Sequence, residues 1–326
     1  MRQYIELFEA AMQTCKACMV KPGENAVIFA DTMKNPTMID AFFNACVEFK
    51  ANPVLVYAKA YKTMLNDPPK AALKAMMEAD IVFDLATQPW LYTESTNLIT
   101  QSGTRMLQVL ADENSVVNRP PTVEISERAE RLSSMMKGET IRITSSIGTD
   151  FTCKRGSRPI HWQDGCVKRA GEWDSLAVIV AAFAPLETEA NGTVVLNGPI
   201  YMGPRLAFHV EEPIRFIVDR GCIIKIEGGK QTEIIRQHLD GLNDSVAKII
   251  AHTGFGMDPR ADIWADDIGN WESYDGGINV AFGGNNINDL QGKNISSSHI
   301  DLILLNSDMT VDGTPVIRNG KFQIRE

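Results

Sequence analysis

Around residue 120 the hydrophobic period of the chain changes, and this limits the fold more than any other feature. Before it, short apolar runs alternate with amphipathic stretches. Ile5, Phe8, Met12 and Cys15 recur at roughly helical spacing, with Leu7 beside them, which predicts a helix over 3–19. Lys21-Pro22-Gly23-Glu24-Asn25 is a turn, and 26–30 is a short apolar strand. The pattern repeats with a helix from Pro36, a strand over 53–57, a helix opened by Pro68 or Pro69 and a strand over 81–85. A helix over 94–101 and a strand over 105–110 follow. Strands alternating with helices predict a mainly parallel sheet covered on both faces.

Beyond Asn118-Arg119-Pro120-Pro121, one helical stretch over 124–136 bridges to a strand-rich region. Residues 140–144 and 150–154 flank a turn and read as a hairpin, and 206–210, 214–219 and 222–227 read as a meander. A long helical pattern covers 230–252, with Ile234, Leu239, Leu242, Val246 and Ile250 on one side. Strands return at 278–282 and 299–305. Two more follow within 309–324, around Asp312-Gly313, with Asn319-Gly320 a second turn signal. The fold class expected is α/β: a Rossmann-like parallel domain over 1–125, then a mainly antiparallel β domain with helices over 126–326. No GxGxxG follows the first strand, so the shape implies no dinucleotide site.

Several function classes are disfavoured at once. With 32 basic and 41 acidic residues the formal net charge is −9, which argues against a nucleic-acid surface. The longest apolar stretch, 176–186, is about half the roughly 20 residues of a membrane span, so no membrane partner is expected. Glu6 and Glu9 interrupt the N-terminus where a signal peptide needs an apolar core. A cytoplasmic, reducing setting is therefore expected, with the six cysteines as thiols. Cys15-Lys16-Ala17-Cys18 stands alone, with no second pair for zinc and no preceding strand for a redox motif, and reads as two half-buried thiols. Neither GxSxG nor HExxH occurs.

The histidines carry the chemistry. In Ser298-His299-Ile300-Asp301-Leu302-Ile303-Leu304, His299 and Asp301 alternate on a predicted strand and project together. An imidazole and a carboxylate so placed suit a divalent metal; a hydrogen-bonded pair is the plainer alternative. His252 follows the apolar helix and precedes Thr253-Gly254-Phe255-Gly256, where it either caps the helix or serves a functional loop. With His299 and Asp301 it would complete two histidines and one carboxylate, a set that occupies one face of octahedral Fe(II). His161, in a polar loop, is either an acid or base beside such a site or a surface residue. His209 and His238 read as structural, and Asp262, Asp266 and Asp267 as a solvated loop.

The second half of the chain resembles a known superfamily. The segments Gly148-Thr149-Asp150-Phe151, Ala184-Pro185 with Glu187 and Ala190-Asn191-Gly192-Thr193, 253–261, 280–285, His299-Ile300-Asp301 and Val311-Asp312-Gly313 come in an order similar to the thermophilic-type metallo-aminopeptidases, over about 140–320. The peptidase ligands are not all kept. A Gly-Glu pair before the Ala-Pro is replaced by Ile179-Val180, a glutamate by His252 and a histidine by Asn279. What remains, His252 with His299 and Asp301, resembles the iron site of the 2,5-dihydroxypyridine 5,6-dioxygenase family, a ring-cleaving branch of the same fold. The resemblance implies one Fe(II), a small aromatic substrate and O₂, and cleavage between C5 and C6 to give N-formylmaleamate. It also implies a base near the substrate hydroxyl, for which His161 and Glu187 are the candidates. A homo-oligomer is expected. An aminopeptidase-like metallo-hydrolase with an altered site is the alternative, and a non-catalytic binding protein a third reading.

Overall fold

The computed structural model describes residues 2–324 and divides into two compact units. The first takes the residues up to Glu127 together with Gln163–Ile179 and Asp266–Asn270. The second takes Arg128–Trp162, Val180–Ala265 and the residues from Trp271 onward.

The first unit is built on a five-stranded parallel sheet in the order Asn52–Ala58, Asn25–Asp31, Ile81–Asp84, Arg105–Gln108, Trp173–Ser175. Parallel neighbours need crossovers, and the helices Pro36–Glu48, Lys70–Met77 and Glu94–Gln101 provide them. The first of these starts where Asn35 accepts from the Thr37 N–H at 2.9 Å and Pro36 fills the first turn. Leu7 of the helix Arg2–Ala17 packs with Phe42, Phe83 and Leu107 in the core, where the Phe42 and Phe83 ring centroids are 5.4 Å apart. Two elements have no sequence forecast. The helix Glu113–Asn118 is capped by Asp112, and the last strand, Trp173–Ser175, lies well beyond Pro120-Pro121. Cys15 and Cys18 are fully buried rather than half-buried. Asp267, expected in a solvated loop, is buried and accepts from Ser115 Oγ at 2.7 Å.

The second unit holds two antiparallel sheets. One has eight strands, in the order Cys222–Glu227, Ile214–Asp219, Ala190–Leu196, Asp150–Lys154, Thr140–Thr144, Asp308–Val311, Thr314–Arg318, Lys321–Phe322. The other has seven, in the order Ala207–His209, Pro199–Tyr201, His299–Leu304, Ile278–Gly283, Ile250–Gly256, Val180–Phe183, His161–Trp162. Asp312 (φ +48°) and Gly313 (φ +78°) form the tight turn their sequence predicts, since both central positions of such a hairpin need positive φ. The expected meander is split. Pro213 separates Ala207–His209, which pairs with Pro199–Tyr201, from the two strands that follow.

The long helix over 230–252 is not formed as expected. The helix runs Gln231–Gly241, and the chain then turns at Asn243 in the left-handed region (φ +50°). A 3₁₀ turn, Ser245–Lys248, follows with Asp244 as its cap, and Ile250–Gly256 is a strand. Val246, Ile250 and their neighbours satisfy helical spacing and a buried strand equally well, so periodicity alone misassigns them. Among the described residues no helix is long and apolar enough to cross a membrane.

Candidate metal centre

The site begins with alternation along His299–Leu304. Ile300, Leu302 and Leu304 take one face of the sheet, His299 and Asp301 the other. The adjoining strand Ile278–Gly283 sets Ala281 opposite Asp301 and Gly283 opposite His299. Ala281 also lies opposite His252 of Ile250–Gly256. His252, Ala281 and Asp301 thus form one row across three strands, which unites histidines 47 residues apart in sequence. Ala281 contributes only a methyl, so the side chains either side can lean together above it.

A β-bulge aims His252. Ile250 stands opposite Phe282 and His252 opposite Ala281, so the bulge takes up one residue. Without it, a two-residue step would send both side chains to the same face. Asn285 Nδ2 donates to the Ala251 carbonyl and Asn294 Nδ2 to the Ile250 carbonyl, each at 2.8 Å, which holds the bulge in place. Gly283 has φ +106°, and a Cβ there would strike the Ser298 carbonyl, so glycine is required where the strand turns.

The three side chains are buried, with His252 6%, His299 5% and Asp301 3% exposed. His299 Nδ1 is 2.7 Å from the Gly284 carbonyl. A carbonyl only accepts, so Nδ1 carries a proton, and in the neutral form of the ring the lone pair is at Nε2. That atom lies 3.1 Å from Asp301 Oδ1 and 3.2 Å from His252 Nε2, and the last two are 3.3 Å apart. Three electron-rich atoms so close repel one another unless a cation or proton sits among them. With bonds of roughly 2.1 Å, neighbouring corners of an octahedron are about 3 Å apart, so the trio fits one face around a divalent first-row ion, Fe(II) included. Burial pushes the His252 imidazole towards its neutral, metal-binding form. Burial would also raise the Asp301 carboxyl, but a proton on the neighbouring imidazoles outweighs it and holds that group well below the usual carboxylate range, the place a cation would take.

The same register places other residues. His161, Ala182, Gly254, Asn279 and Ile303 are successive partners across five strands, and their row is one two-residue step from that of Ala281. His161 is therefore on the face that carries His252, His299 and Asp301. Tyr201, opposite Asp301, shares that face; sequence reading passed over it and Ala281, whose only signal is alternation on strands not yet paired. Glu187 sits in the turn after Val180–Phe183, where Arg158 Nη2 donates to both carboxylate oxygens at 2.6 and 2.8 Å. Both oxygens of Glu187 are thus engaged in one ion pair. His209 stacks on Trp264 with centroids 5.1 Å apart, in a packing role.

A family model described as 2,5-dihydroxypyridine 5,6-dioxygenase matches residues 3–324. The chain belongs to the 2,5-dihydroxypyridine 5,6-dioxygenase family. A member from Pseudomonas putida KT2440, named 2,5-dihydroxypyridine 5,6-dioxygenase, is 25% identical over 341 residues, covering 98% of this chain and 95% of the relative. The solved structure of a 2,5-dihydroxypyridine dioxygenase from the same organism superposes with a TM-score of 0.90 at 23% identity, over 99% of this chain and 98% of the other. AmpT from Thermus thermophilus shares the fold more distantly, with a TM-score of 0.70 at 15% identity over 98% and 99% of the two chains. Within this dioxygenase family fold, Val180 is a buried aliphatic residue at the start of its strand, and Asn279 is a buried amide.

Proposed function

We propose that the protein is a mononuclear Fe(II) dioxygenase of extradiol type that opens the ring of 2,5-dihydroxypyridine, or of a related hydroxylated N-heteroaromatic. From 2,5-dihydroxypyridine the product is N-formylmaleamate: the C5–C6 bond breaks and both atoms of O₂ enter the product. The observation that carries this reading is the buried triangle of His252 Nε2, His299 Nε2 and Asp301 Oδ1. Family membership supports it independently. A bound Fe(II) supplies the one-electron chemistry that lets O₂ react with an aromatic ring.

The protein's own residues do the rest. His252, His299 and Asp301 would hold the ion and bring a single negative charge to it. The Gly284 carbonyl fixes the His299 tautomer. His161, on the same face, takes the proton of the 5-hydroxyl. The small residues at 182, 254 and 281 leave space for a flat ring. The same reading carries a homo-oligomeric cytoplasmic enzyme with a small-molecule substrate.

The hydrolase alternative needs a second metal to share the work of activating water. Among the described residues His252, His299 and Asp301 are the one group of three or more His, Cys, Asp or Glu side chains able to share an ion. The test is anaerobic reconstitution with Fe(II), addition of 2,5-dihydroxypyridine, then air. Ring absorbance should fall with equimolar oxygen uptake. Release of amino acids from peptides without oxygen, and no reaction with any hydroxypyridine, would overturn the proposal.

A further inference from the structure

One polar group on the metal-binding face has no role so far. Asn279 is 2% exposed and sits one strand from Gly254, in the row that ends at His161. Its amide nitrogen donates to the Glu272 carbonyl at 3.0 Å. A carbonyl cannot donate, so the amide cannot be flipped, and Oδ1 must point elsewhere. The backbone carbonyl of Asn279 already accepts from Thr253 Oγ1 at 3.0 Å, which fixes the residue further. Asn279 Oδ1 is nonetheless buried with no hydrogen-bond partner. Buried acceptors are seldom left unpaired, and one beside a binding site is completed when a ligand arrives.

The spacing suits a ring held by the metal. Asn279 and Ala281 are two residues apart on one strand, about 7 Å along the sheet. Across the sheet, Asn279 and His161 are separated by three strand spacings, about 14 Å. Between them lie only Ala182 and Gly254, and a Cβ on Gly254 would strike the Ala181 carbonyl. The floor between the two polar side chains is therefore flat.

We infer that Asn279 is a positioning residue: its side-chain carbonyl accepts a hydrogen bond from the ring N–H of the substrate, selecting the lactam form and setting which ring edge meets the metal. This rests on the proposed function, because it takes the ligand to be a hydroxylated N-heteroaromatic. An amide oxygen and a lactam N–H are complementary, whereas a carbocyclic ring of the same shape has nothing to offer Oδ1 and leaves it unpaired.

The test uses full-length protein loaded with Zn(II), which holds the site without turnover, and calorimetric titration under anaerobic conditions. The ligands are 2,5-dihydroxypyridine and hydroquinone, which has the same para hydroxyls and no ring nitrogen. The wild type should bind the pyridine about tenfold more tightly. Asn279→Leu, close in volume, should weaken the pyridine about tenfold and leave hydroquinone within about twofold, with zinc still near one per chain. Asn279→Ala serves as the second variant. Parallel weakening of both ligands, or an unchanged preference in either variant, overturns the inference. Should both variants misfold, equal binding of the two ligands by the wild type overturns it and a tenfold preference upholds it. A wild type that binds 2,5-dihydroxypyridine yet consumes no O₂ with it when Fe(II)-loaded defeats the proposed function instead. A wild type that does not bind the pyridine defeats both.

Discussion

The parallel sheet of the first unit and the seven-stranded sheet of the second both contain fully buried strands, but the burial means different things. Ile81–Asp84 is buried along its length and apolar except at its carboxyl end. His299–Leu304 is equally buried, yet two of its six residues are His and Asp. In the first sheet Asp31 and Asp84 stand at the carboxyl ends of their strands, and the runs before them, 26–30 and 81–83, are apolar and fill the core. In the second, one face is apolar and the other carries Asn279, Asp301, His252 and His299 beside Ala281 and Gly254. Burying ionisable groups is costly unless something compensates, so their concentration on one face marks where chemistry has displaced packing.

The largest effect that can break this contrast is removal of a ligand. His252→Ala, His299→Ala and Asp301→Ala should each lower bound metal from about one per chain to near zero and abolish turnover, with circular dichroism unchanged. Loss of one of three ligands removes both affinity and orientation. A full metal complement with normal turnover in any one of them would defeat the triad. Ala281→Leu sharpens the same point without touching a ligand. Its side chain would occupy the space between His252 and Asp301, and metal affinity should fall at least about tenfold. If metal analysis shows no loss, the row does not work as described.

In the first unit the opposite response is expected. Phe83 is fully buried against Phe42. Phe83→Ala should cost about 3–5 kcal/mol of stability by leaving a cavity. Turnover per folded molecule should stay near wild type, as read by urea denaturation alongside activity normalised to metal content.

These contrasts also explain what the sequence discloses. The spacing of His299 and Asp301 is readable because strand alternation is local, and so is the Asp312-Gly313 turn, whose φ angles follow from residue type. The strand containing His252 is hidden, because an apolar run after a helix fits either period and only the break at Asn243 and Asp244 decides it. Trp173–Ser175 is hidden for another reason. A three-residue strand of mixed polarity gains its identity from pairing with Arg105–Gln108, a long-range contact that no local pattern encodes. Ala281 and Asn279 acquire meaning only once the register aligns them with His252 and Gly254.

A smaller effect should appear in the pH dependence of metal-free protein. Burial lowers the His252 imidazole below its ordinary value of 6.5, and does the same at His238. The folded state therefore resists a proton that the unfolded chain accepts. Above pH 6.5 neither state binds it and stability is unaffected. As pH falls below 6.5 the unfolded state gains, and stability should drop by up to about 1.4 kcal/mol per pH unit for each such group. Denaturation of chelator-treated protein at pH 7.5 and 5.5 measures this. His252→Gln should flatten part of the slope, His238→Gln another part. An unchanged slope in His252→Gln would show that the buried imidazole at the site does not control it.

The smallest response is expected from the thiols. Cys18 of the first unit is fully buried and accepts from the Val167 N–H at 3.4 Å. Burial pushes its thiol up to about 12, so it stays protonated at neutral pH and is a poor nucleophile. Cys15 faces Cys46 with sulfurs 4.0 Å apart, and that hydrogen bond together with burial raises Cys15 as well. Cys222 of the second unit is half-buried, while the other five cysteines are buried. Burial raises the Cys222 thiol as well, so native protein should react with a thiol reagent at one site per chain, more slowly than a free cysteine, and denatured protein at six. Cys15→Ser and Cys18→Ser should leave turnover within about twofold. Each should nevertheless lower stability by about 1–3 kcal/mol, because a hydroxyl is placed where an apolar sulfur was packed. A collapse of activity at full metal occupancy would make Cys15-Lys16-Ala17-Cys18 part of the chemistry rather than of the core.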